Sequence, residues 1–211
     1  MENQQEWKVV GKNKKFKKKP QNVTIDENKL IDTPQTVENV AVNVENDIDT
    51  GTDLLLPYKF VVWCHDVHSK DWSINGYVKL CTLSNASEFW RVFNNLDKLG
   101  FKVNNFFIMK EGTDPIWEHE NNRNGGVCSF RTDIEHALQI YEDMCIRMMC
   151  GYLTDQMDDI NGISLSPKNN WAIIKIWNKN KNNDLSKTLN QYILNTYKDL
   201  SIKYKSNEPE Y

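Results

Sequence analysis

Residues 161–177 read NGISLSPKNNWAIIKIW, in which two apolar segments flank a short polar turn. The segments are rich in isoleucine, leucine and tryptophan, and β-branched and aromatic residues favour strands. The connection PKNN at 167–170 is far shorter than the roughly dozen residues that a parallel crossover needs. The stretch therefore predicts two antiparallel strands joined by a tight turn.

The same pattern continues toward the N-terminus, where apolar and aromatic segments alternate with polar loops. Further strands are predicted at LLLPYKFVVWCHD (54–66), SINGYVKLCTL (73–83), FFIMK (106–110) and GGVCSFR (125–131). Most connections are again too short for parallel crossovers. We therefore expect a single antiparallel sheet.

Each predicted helix begins with a side chain that can accept a hydrogen bond from a free backbone N–H group. These N-caps are Asn85, Thr132 and Asp184, and Glu88 and Glu135 complete capping boxes at the first two. Apolar residues then recur at helical spacing over 88–99, 134–149 and 185–200. The fold class is predicted to be α+β, with about three helices packed on one face of the sheet.

Residues 1–53 differ from the rest of the chain in their charge pattern and their lack of regularly spaced apolar residues. They contain the basic run KVVGKNKKFKKK at 8–19 and an acidic stretch that ends in NDIDTGTD at 46–53. No apolar period is sustained there, so we expect a disordered tail. The basic run has three interpretations: a solvated tail, a segment that contacts the RNA backbone, or a nuclear localisation signal. The domain is predicted at 54–206, followed by a short tail at 207–211.

Composition excludes several classes of protein. The net charge of −3 argues against a protein that coats nucleic acid non-specifically, so any contact with nucleic acid needs a local basic patch. No apolar run is long enough to span a membrane, and no signal peptide is visible. Five cysteines without a CxxC pair indicate reduced thiols and therefore a cytoplasmic protein. If the basic run is a nuclear localisation signal, a fraction of the protein is expected in the nucleus. Four scattered histidines predict neither a metal site nor a cofactor.

Four segments together resemble the eukaryotic translation initiation factor 4E family. They are KFVVWCHDVHSKDW (59–72), SEFWRVFNNL (87–96), KEGTDPIWEHENNRNGG (110–126) and NGISLSPKNNWAIIKIWNK (161–179). The resemblance covers about residues 55–205 and implies a strongly curved antiparallel sheet. Helices would pack on its convex back, and its concave face would bind the 7-methylguanosine cap of mRNA. The abundance of asparagine, lysine and isoleucine also suggests an AT-rich genome, such as that of a protist or a large DNA virus.

The resemblance implies a role for each of several residues in cap binding. Trp72 and Trp117 fall at the stacking positions, Glu118 at the guanine-reading carboxylate, Trp177 beside the N7-methyl group and Lys168 at a phosphate position. Chemistry independently favours this set, because N7-methylated guanine is cationic and indole faces attract cations. A carboxylate can also accept hydrogen bonds from both the N1–H and N2 amino groups of guanine.

The phosphate side departs from the family pattern. Val127 and Ile173 stand where basic residues are usual, and Lys168 stands where arginine is common. Lys175 is one candidate replacement, because strand geometry places it on the face of Ile173 and Trp177, about 6.6 Å from Ile173. Other candidates are Lys179, Lys181, Lys203 and Lys205. Separately, the chain ends at NEPEY (207–211), where many family members continue into a loop near the second nucleotide, so a preference for cap context over the bare nucleotide is expected.

The resemblance also implies a partner surface on the dorsal helices. Trp90 falls at the exposed tryptophan that binds an initiation factor 4G-like scaffold or a 4E-binding regulator. Around it, Ala86 replaces a larger apolar residue, and Tyr141 and Asp143 form a shifted version of the usual patch. An adapted partner helix is therefore expected, and the protein is expected to be a monomer.

Each of these functional assignments has an alternative in which the residue has only a structural role. A loop tryptophan is often a core residue, Trp177 could belong to the opposite sheet face, and Glu118 could form a cap or an ion pair. Trp63 is predicted to be core, and Trp171 an exposed aromatic residue at a turn. Three functions follow: an initiation factor, a cap-sequestering repressor, or, least favoured, an enzyme using the acidic segment 118–120.

Overall fold

The computed structural model describes residues 53–207 of the protein. The predicted tail with its basic run, apart from Asp53, lies outside these residues, as do residues 208–211. The described part contains one seven-stranded antiparallel sheet, in the order β2-β1-β3-β5-β6-β4-β7. Its strands are β1 Leu55–Asp66, β2 Val78–Asn85, β3 Asn104–Lys110, β4 Gly126–Asp133, β5 Ile160–Pro167, β6 Trp171–Asn178 and β7 Ser201–Ser206.

The two faces of the sheet have different roles. Side chains alternate along a strand, so every second residue points toward the helices. The helix-facing residues form the main core, which includes Phe60, Val62, Phe106, Ile108, Phe130, Ile163, Leu165, Ile174 and Ile176. The other side, called here the open face, has a smaller apolar cluster around Phe107, Met109 and Trp177. The α+β class and the β5–β6 hairpin are therefore as predicted.

The helices are α1 Ala86–Phe93, α2 Ile134–Met149, α3 Leu185–Thr188 and α4 Gln191–Thr196. Asn85 caps α1 as predicted, accepting a hydrogen bond from the Glu88 backbone N–H at 2.9 Å. The helix ends earlier than expected, at Phe93. The Asn95 side chain donates to the Arg91 carbonyl at 2.7 Å, and such local bonds compete with helical ones.

The predicted capping box at Thr132 is wrong. Thr132 still belongs to β4, where it pairs with Ala172, and Asp133 is the N-cap of α2 without a side-chain cap bond. The Ile134 N–H instead donates to the Asn170 carbonyl at 3.2 Å. The helix ends at Met149, shortly before Gly151 with its positive φ of 78°.

The predicted last helix is also wrong beyond its first turn. Asp184 caps α3 as expected, accepting from the Ser186 N–H at 3.1 Å. Leu189 then becomes extended and bridges to Thr154, and Asn190 caps a second short helix, α4. The segment SIKYKS, whose apolar and basic residues alternate, forms the edge strand β7 that sequence analysis missed.

Lys110 at the end of β3 is a buried cation. Its Nζ donates to the Met157 carbonyl at 2.7 Å and lies 4.1 Å from the centroid of the Tyr58 ring. Burial, helped by the charge of Lys179, lowers the pKa of Lys110 to about 8. Within residues 53–207, no helix is both long and apolar enough to cross a membrane.

Replacing Lys110 by methionine should change how stability depends on pH. With a folded pKa of about 8 and an unfolded pKa near 10.4, the folded state binds fewer protons between these values. The free energy of unfolding of the wild type should therefore rise with pH in this window, relative to Lys110→Met. Urea denaturation at pH 7, 8.5 and 10 measures the difference, and parallel pH curves for the two proteins would contradict the prediction.

Candidate functional site

Trp72 lies at one end of the open face, after β1 and just before a short 3-10 turn at Ile74–Gly76. Its side chain is 53% exposed, yet its ring stacks on His65 at 4.1 Å between centroids with 17° between planes. His65 is itself buried, and its Nε2 donates to the Asp71 carbonyl at 2.8 Å. One face of the indole is thus supported by a fixed ring, while much of the side chain remains accessible.

Trp117 and Glu118 lie in the loop between β3 and β4, and both are exposed. The loop is held by Asn122, whose side chain is fully buried. Its Nδ2 donates to the carbonyls of Asp114 at 2.9 Å and Ile116 at 2.7 Å. Because the loss of hydrogen bonds donated by a buried side-chain amide is costly, Asn122 fixes the backbone just before Trp117.

Asn161 at the start of β5 ties this loop to the sheet. Its Nδ2 donates to the Asn122 Oδ1 at 2.8 Å and to the Asn121 carbonyl at 2.7 Å. The Asn121 side chain in turn donates to Thr113 Oγ1 at 3.0 Å. The three asparagines Asn121, Asn122 and Asn161 are called here the amide brace. Sequence analysis missed it, because asparagine in a polar loop ordinarily indicates a turn.

Aromatic residues line the floor of the open face beside Trp72. Tyr77 lies 4.7 Å from His65 and 5.3 Å from Phe107, centroid to centroid, and Phe107 lies 6.3 Å from Trp177. Trp177 is buried on the open face, and its Nε1 donates to Ser164 Oγ at 3.0 Å. The structure therefore places Trp177 on the same side of the sheet as Trp72, and not in the helix-facing core.

The charge of Glu118 reaches this aromatic floor. Burial, and then the negative charge of Glu118, raise the pKa of Tyr77. Tyr77 also contacts Trp72 edge-on at 6.4 Å between centroids. The Trp72 ring therefore contacts a tyrosine whose hydroxyl also lies within the electrostatic influence of the Glu118 carboxylate. His65, Tyr77 and Phe107 are site residues that sequence analysis did not identify.

Lysines occupy the open face next to Trp177. Lys175 pairs across the sheet with Ser129, which pairs on its other side with Lys203. In the neighbouring row, Val127 pairs with Lys205. Burial, and then the charge of Lys168, lower the pKa of Lys175, so these two lysines also lie near one another. Lys168, Lys175, Lys203 and Lys205 are called here the basic strip.

Strand β7 is attached by Asn178 at the end of β6. The Asn178 Oδ1 accepts from the Gly126 N–H at 2.9 Å and from the Tyr204 hydroxyl at 3.0 Å. A Cβ at Gly126 would lie 2.4 Å from that hydroxyl, and one at Gly125 would lie 1.7 Å from the Asn178 carbonyl. The Gly-Gly pair is therefore required for the close approach that joins β4, β6 and β7.

The dorsal residues are placed differently from one another. Trp90 is 41% exposed on α1 and contacts the buried Phe89 edge-on, whereas Ala86 is half-buried at the start of the helix. Tyr141 is 0% exposed and stacks on Phe93, so its predicted contact with a partner is wrong: it lies on the core side of α2. The partly exposed Asp143 carboxylate already accepts from Arg147 at 2.9 Å and from the Tyr197 hydroxyl at 2.7 Å.

The remaining tryptophans also differ from expectation. Trp63, predicted to be core, is partly buried in the cluster of the open face. Trp171, predicted to be exposed, is half-buried beneath the guanidinium of Arg131, 4.3 Å from its centroid. In the acidic segment 118–120, His119 Nδ1 accepts from the Asn121 N–H at 3.2 Å. The part of the chain that is described has no group of three or more His, Cys, Asp or Glu side chains able to hold a metal.

Asn122→Asp should loosen the loop that bears Trp117. The change removes two buried donors and adds a buried charge, and each unsatisfied buried group costs about 1–3 kcal/mol. We expect a lower free energy of unfolding and faster amide hydrogen exchange over residues 111–125. The control is Asn124→Asp, which adds the same charge at an exposed position of the same loop. Equal exchange rates in the two variants would contradict a role for the amide brace.

Comparison with known proteins identifies the family. The model for eukaryotic initiation factor 4E matches residues 55–210. Eukaryotic translation initiation factor NCBP of Triticum aestivum is 31% identical over 104 residues, which are 48% of this chain and 44% of that protein. The chain spans about half the length of the curated relatives it matches.

Solved structures of the family share the fold. Initiation factor 4E-3 of Ascaris suum, solved with the 7-methylguanosine cap, aligns with a TM-score of 0.64 at 16% identity, over 75% of this chain and 93% of that one. The Caenorhabditis elegans 4E-3 protein, solved with the 4E-binding protein Mextli and a cap analogue, aligns with a TM-score of 0.65 at 15% identity, over 74% and 93%. With its sheet, its aromatic open face and the match over 55–210, this chain belongs to the eukaryotic initiation factor 4E family.

Proposed function

We propose that this protein binds the 7-methylguanosine cap of mRNA, holding the base between Trp72 and Trp117 while Glu118 reads its edge. One observation supports this most directly: the exposed Trp72 contacts Tyr77 on the open face, and the pKa of that tyrosine is raised by burial and by the charge of Glu118. The Ascaris suum relative was solved with this ligand. Stacking, charge neutralisation and edge recognition are then available within one surface.

The energies explain why the methyl group matters. A cation over an aromatic face gains about 0.5–2 kcal/mol, and base–aromatic stacking adds about 1–3 kcal/mol. Unmethylated guanine retains the stacking but has no positive charge, so it loses the cation term. The carboxylate of Glu118 adds to the difference, because it neutralises the charged ring while accepting from the N1–H and N2 amino groups.

In this proposal, His65 holds the Trp72 ring in place before the ligand binds. An exposed indole in a loop would otherwise lose conformational freedom on binding, at a cost of up to about 1.5 kcal/mol for a flexible side chain. Stacking on the buried His65 pays this cost during folding. The same reasoning applies to Trp117, because the amide brace fixes the backbone of its loop.

Three lysines of the basic strip are the proposed partners of the triphosphate, namely Lys168, Lys175 and Lys205. Val127 and Ile173 provide no charge, but Lys205 lies directly across from Val127, and Lys175 lies on the same strand face as Trp177. Lys168 and Lys175 lie close enough for their charges to interact. Lys175 on β6 and Lys205 on β7 therefore replace the positive charges that are missing at Val127 and Ile173.

In translation, the proposed role is that of an initiation factor that recruits a scaffold or regulator through Trp90. The Caenorhabditis elegans relative was solved with a 4E-binding protein. The alternative is a repressor that binds caps without a productive scaffold. The burial of Tyr141 favours this alternative, because it reduces the apolar surface of α2 available beside Trp90. Binding, and not catalysis, is proposed for the site, so incubated cap analogue should be recovered intact.

Changes at the site should separate stacking from edge recognition. Trp72→Leu and Trp117→Leu should each lose about 1–3 kcal/mol of binding to 7-methyl-GTP, which is roughly 5- to 150-fold in Kd. Glu118→Gln should retain stacking, weaken the preference for guanine over adenine, and reduce without abolishing the preference for methylated over unmethylated guanine. Isothermal titration with 7-methyl-GTP, GTP and ATP measures both effects. Unchanged Kd values in all three variants would refute the proposed site.

Trp90→Ala should abolish partner binding and leave cap binding unchanged. The exposed indole lies on α1, away from the open face. Capture of scaffold proteins from a cell extract on 7-methyl-GTP resin measures the effect, with immobilised wild type for comparison. The matched control is Tyr152→Ala, which removes another exposed aromatic side chain. Scaffold retention by the Trp90→Ala protein would place the partner surface elsewhere, whereas failure of the wild type to capture any scaffold would favour the repressor-like alternative.

A further inference from the structure

The open face continues well beyond the proposed cap site. Along β6, the side chains that share this face are Trp177, Lys175, Ile173 and Trp171. Each step of two residues advances about 6.6 Å, so the two tryptophans at the ends lie about 20 Å apart along the strand. This span exceeds what a cap base and its triphosphate need.

The rows across the sheet have a consistent charge. After the row of Val127 and Lys205 comes the row of Lys175, Ser129 and Lys203. The next row pairs Arg131 with Ile173 on one side and with Ser201 on the other. These three rows contain cations and no carboxylates, in a protein whose net charge is −3, whereas the row after them pairs Trp171 with Asp133. They form a local track that suits a polyanion.

Arg131 and Trp171 form the far end of this track. The Arg131 guanidinium lies 4.3 Å from the centroid of the Trp171 ring. Among the described residues, no carboxylate lies within ion-pair distance of Arg131. Trp171 has no function in the proposed cap site. A planar cation stacked on an indole is a platform of the kind on which nucleobases stack.

A cavity adjoins this pair. Its volume is about 820 Å³, and most of its lining comes from α2, α4 and the residues just before β7, with Arg131, Asp133, Asn170 and Trp171 at one edge. Sites for small organic ligands are typically about 300–1,000 Å³. The aromatic ring offers a stacking surface, whereas the amide and carboxylate offer hydrogen bonds to the amino groups of a base. The carboxylates would repel phosphate, so a base suits the cavity and the backbone suits the cationic rows.

We propose that Arg131 and Trp171 bind a nucleobase of the RNA that follows the cap, while Lys175 and Lys203 contact the phosphates between the two sites. The ligand is a single strand of capped RNA, entered from its 5′ end. This inference rests on the proposed cap binding and adds a second, separate nucleotide site to it. Because the local track is small, uncapped RNA should bind weakly.

The experiment compares ligands of increasing length. Kd values are measured for 7-methyl-GTP, for capped RNAs of four and eight nucleotides, and for the same RNAs without a cap. Wild type should bind the capped octamer on the order of tenfold more tightly than 7-methyl-GTP, since one stacked base contributes that order of affinity. Trp171→Ala should lose most of this gain and keep the affinity for 7-methyl-GTP. Trp171→Phe, which retains a ring, should restore part of it.

Charge is tested separately through salt dependence. Each phosphate contact on a single strand contributes about 0.7 to the slope of log affinity against log salt concentration. Lys203→Gln should therefore reduce the slope for the capped octamer by about 0.7 and leave the slope for 7-methyl-GTP unchanged. Arg131→Lys should keep the charge but weaken the gain with length, because lysine has no planar group to stack.

The two proposals fail in different ways. If wild type does not bind 7-methyl-GTP, the proposed function fails. If wild type binds 7-methyl-GTP and the capped octamer equally well, only the second site is refuted. A loss of 7-methyl-GTP affinity in a folded Trp171→Ala protein would likewise overturn the second site, because Trp171 would then act on the cap site through the fold. Circular dichroism establishes that each variant is folded.

Discussion

Within residues 53–207 the α-helices pack on only one side of the sheet, and the candidate site depends on that constraint. Alternation along each strand sends Phe106 and Ile108 into the helix-facing core and Phe107 to the other side. The open face is therefore free for a ligand, but its apolar residues have no helix to cover them. They pack against one another instead, from His65 and Tyr77 through Phe107 to Trp177. The exposed Trp72 is held at the end of this series.

Asparagine side chains provide much of the rigidity near the site. The amide brace fixes the loop before Trp117, and Asn178 joins three strands at the point where β7 is attached. An amide donates and accepts, so one buried side chain can satisfy backbone groups on two elements without the desolvation cost of a charge. Aspartate in the same places would lack the donors. A chain with abundant asparagine can thus position charged and aromatic groups on polar loops.

Local signals explain which parts of the fold and site were predictable. The β5–β6 hairpin and the cap at Asn85 depend on neighbouring residues, and both were predicted correctly. The last helix was wrong because Leu189 pairs with Thr154, a contact between distant parts of the chain. Tyr141 was misplaced because the family resemblance assigned it to the partner surface, although its helical spacing with Leu138 and Cys145 puts it on the apolar face of α2. Tyr77 and His65 join the site only through cross-strand packing, which no motif in the sequence indicates.

Strand β7 lies at the edge of the sheet and pairs only with β4. A strand at the edge of a sheet can pair with a strand of another molecule, and such edges favour aggregation. Lys203 and Lys205 are exposed on this strand, and lysines on an edge oppose the pairing of two identical strands through mutual repulsion. The residues proposed to attract RNA thereby also discourage copies of this protein from joining edge to edge. Substitutions that neutralise both lysines should accordingly be judged for solubility as well as for affinity.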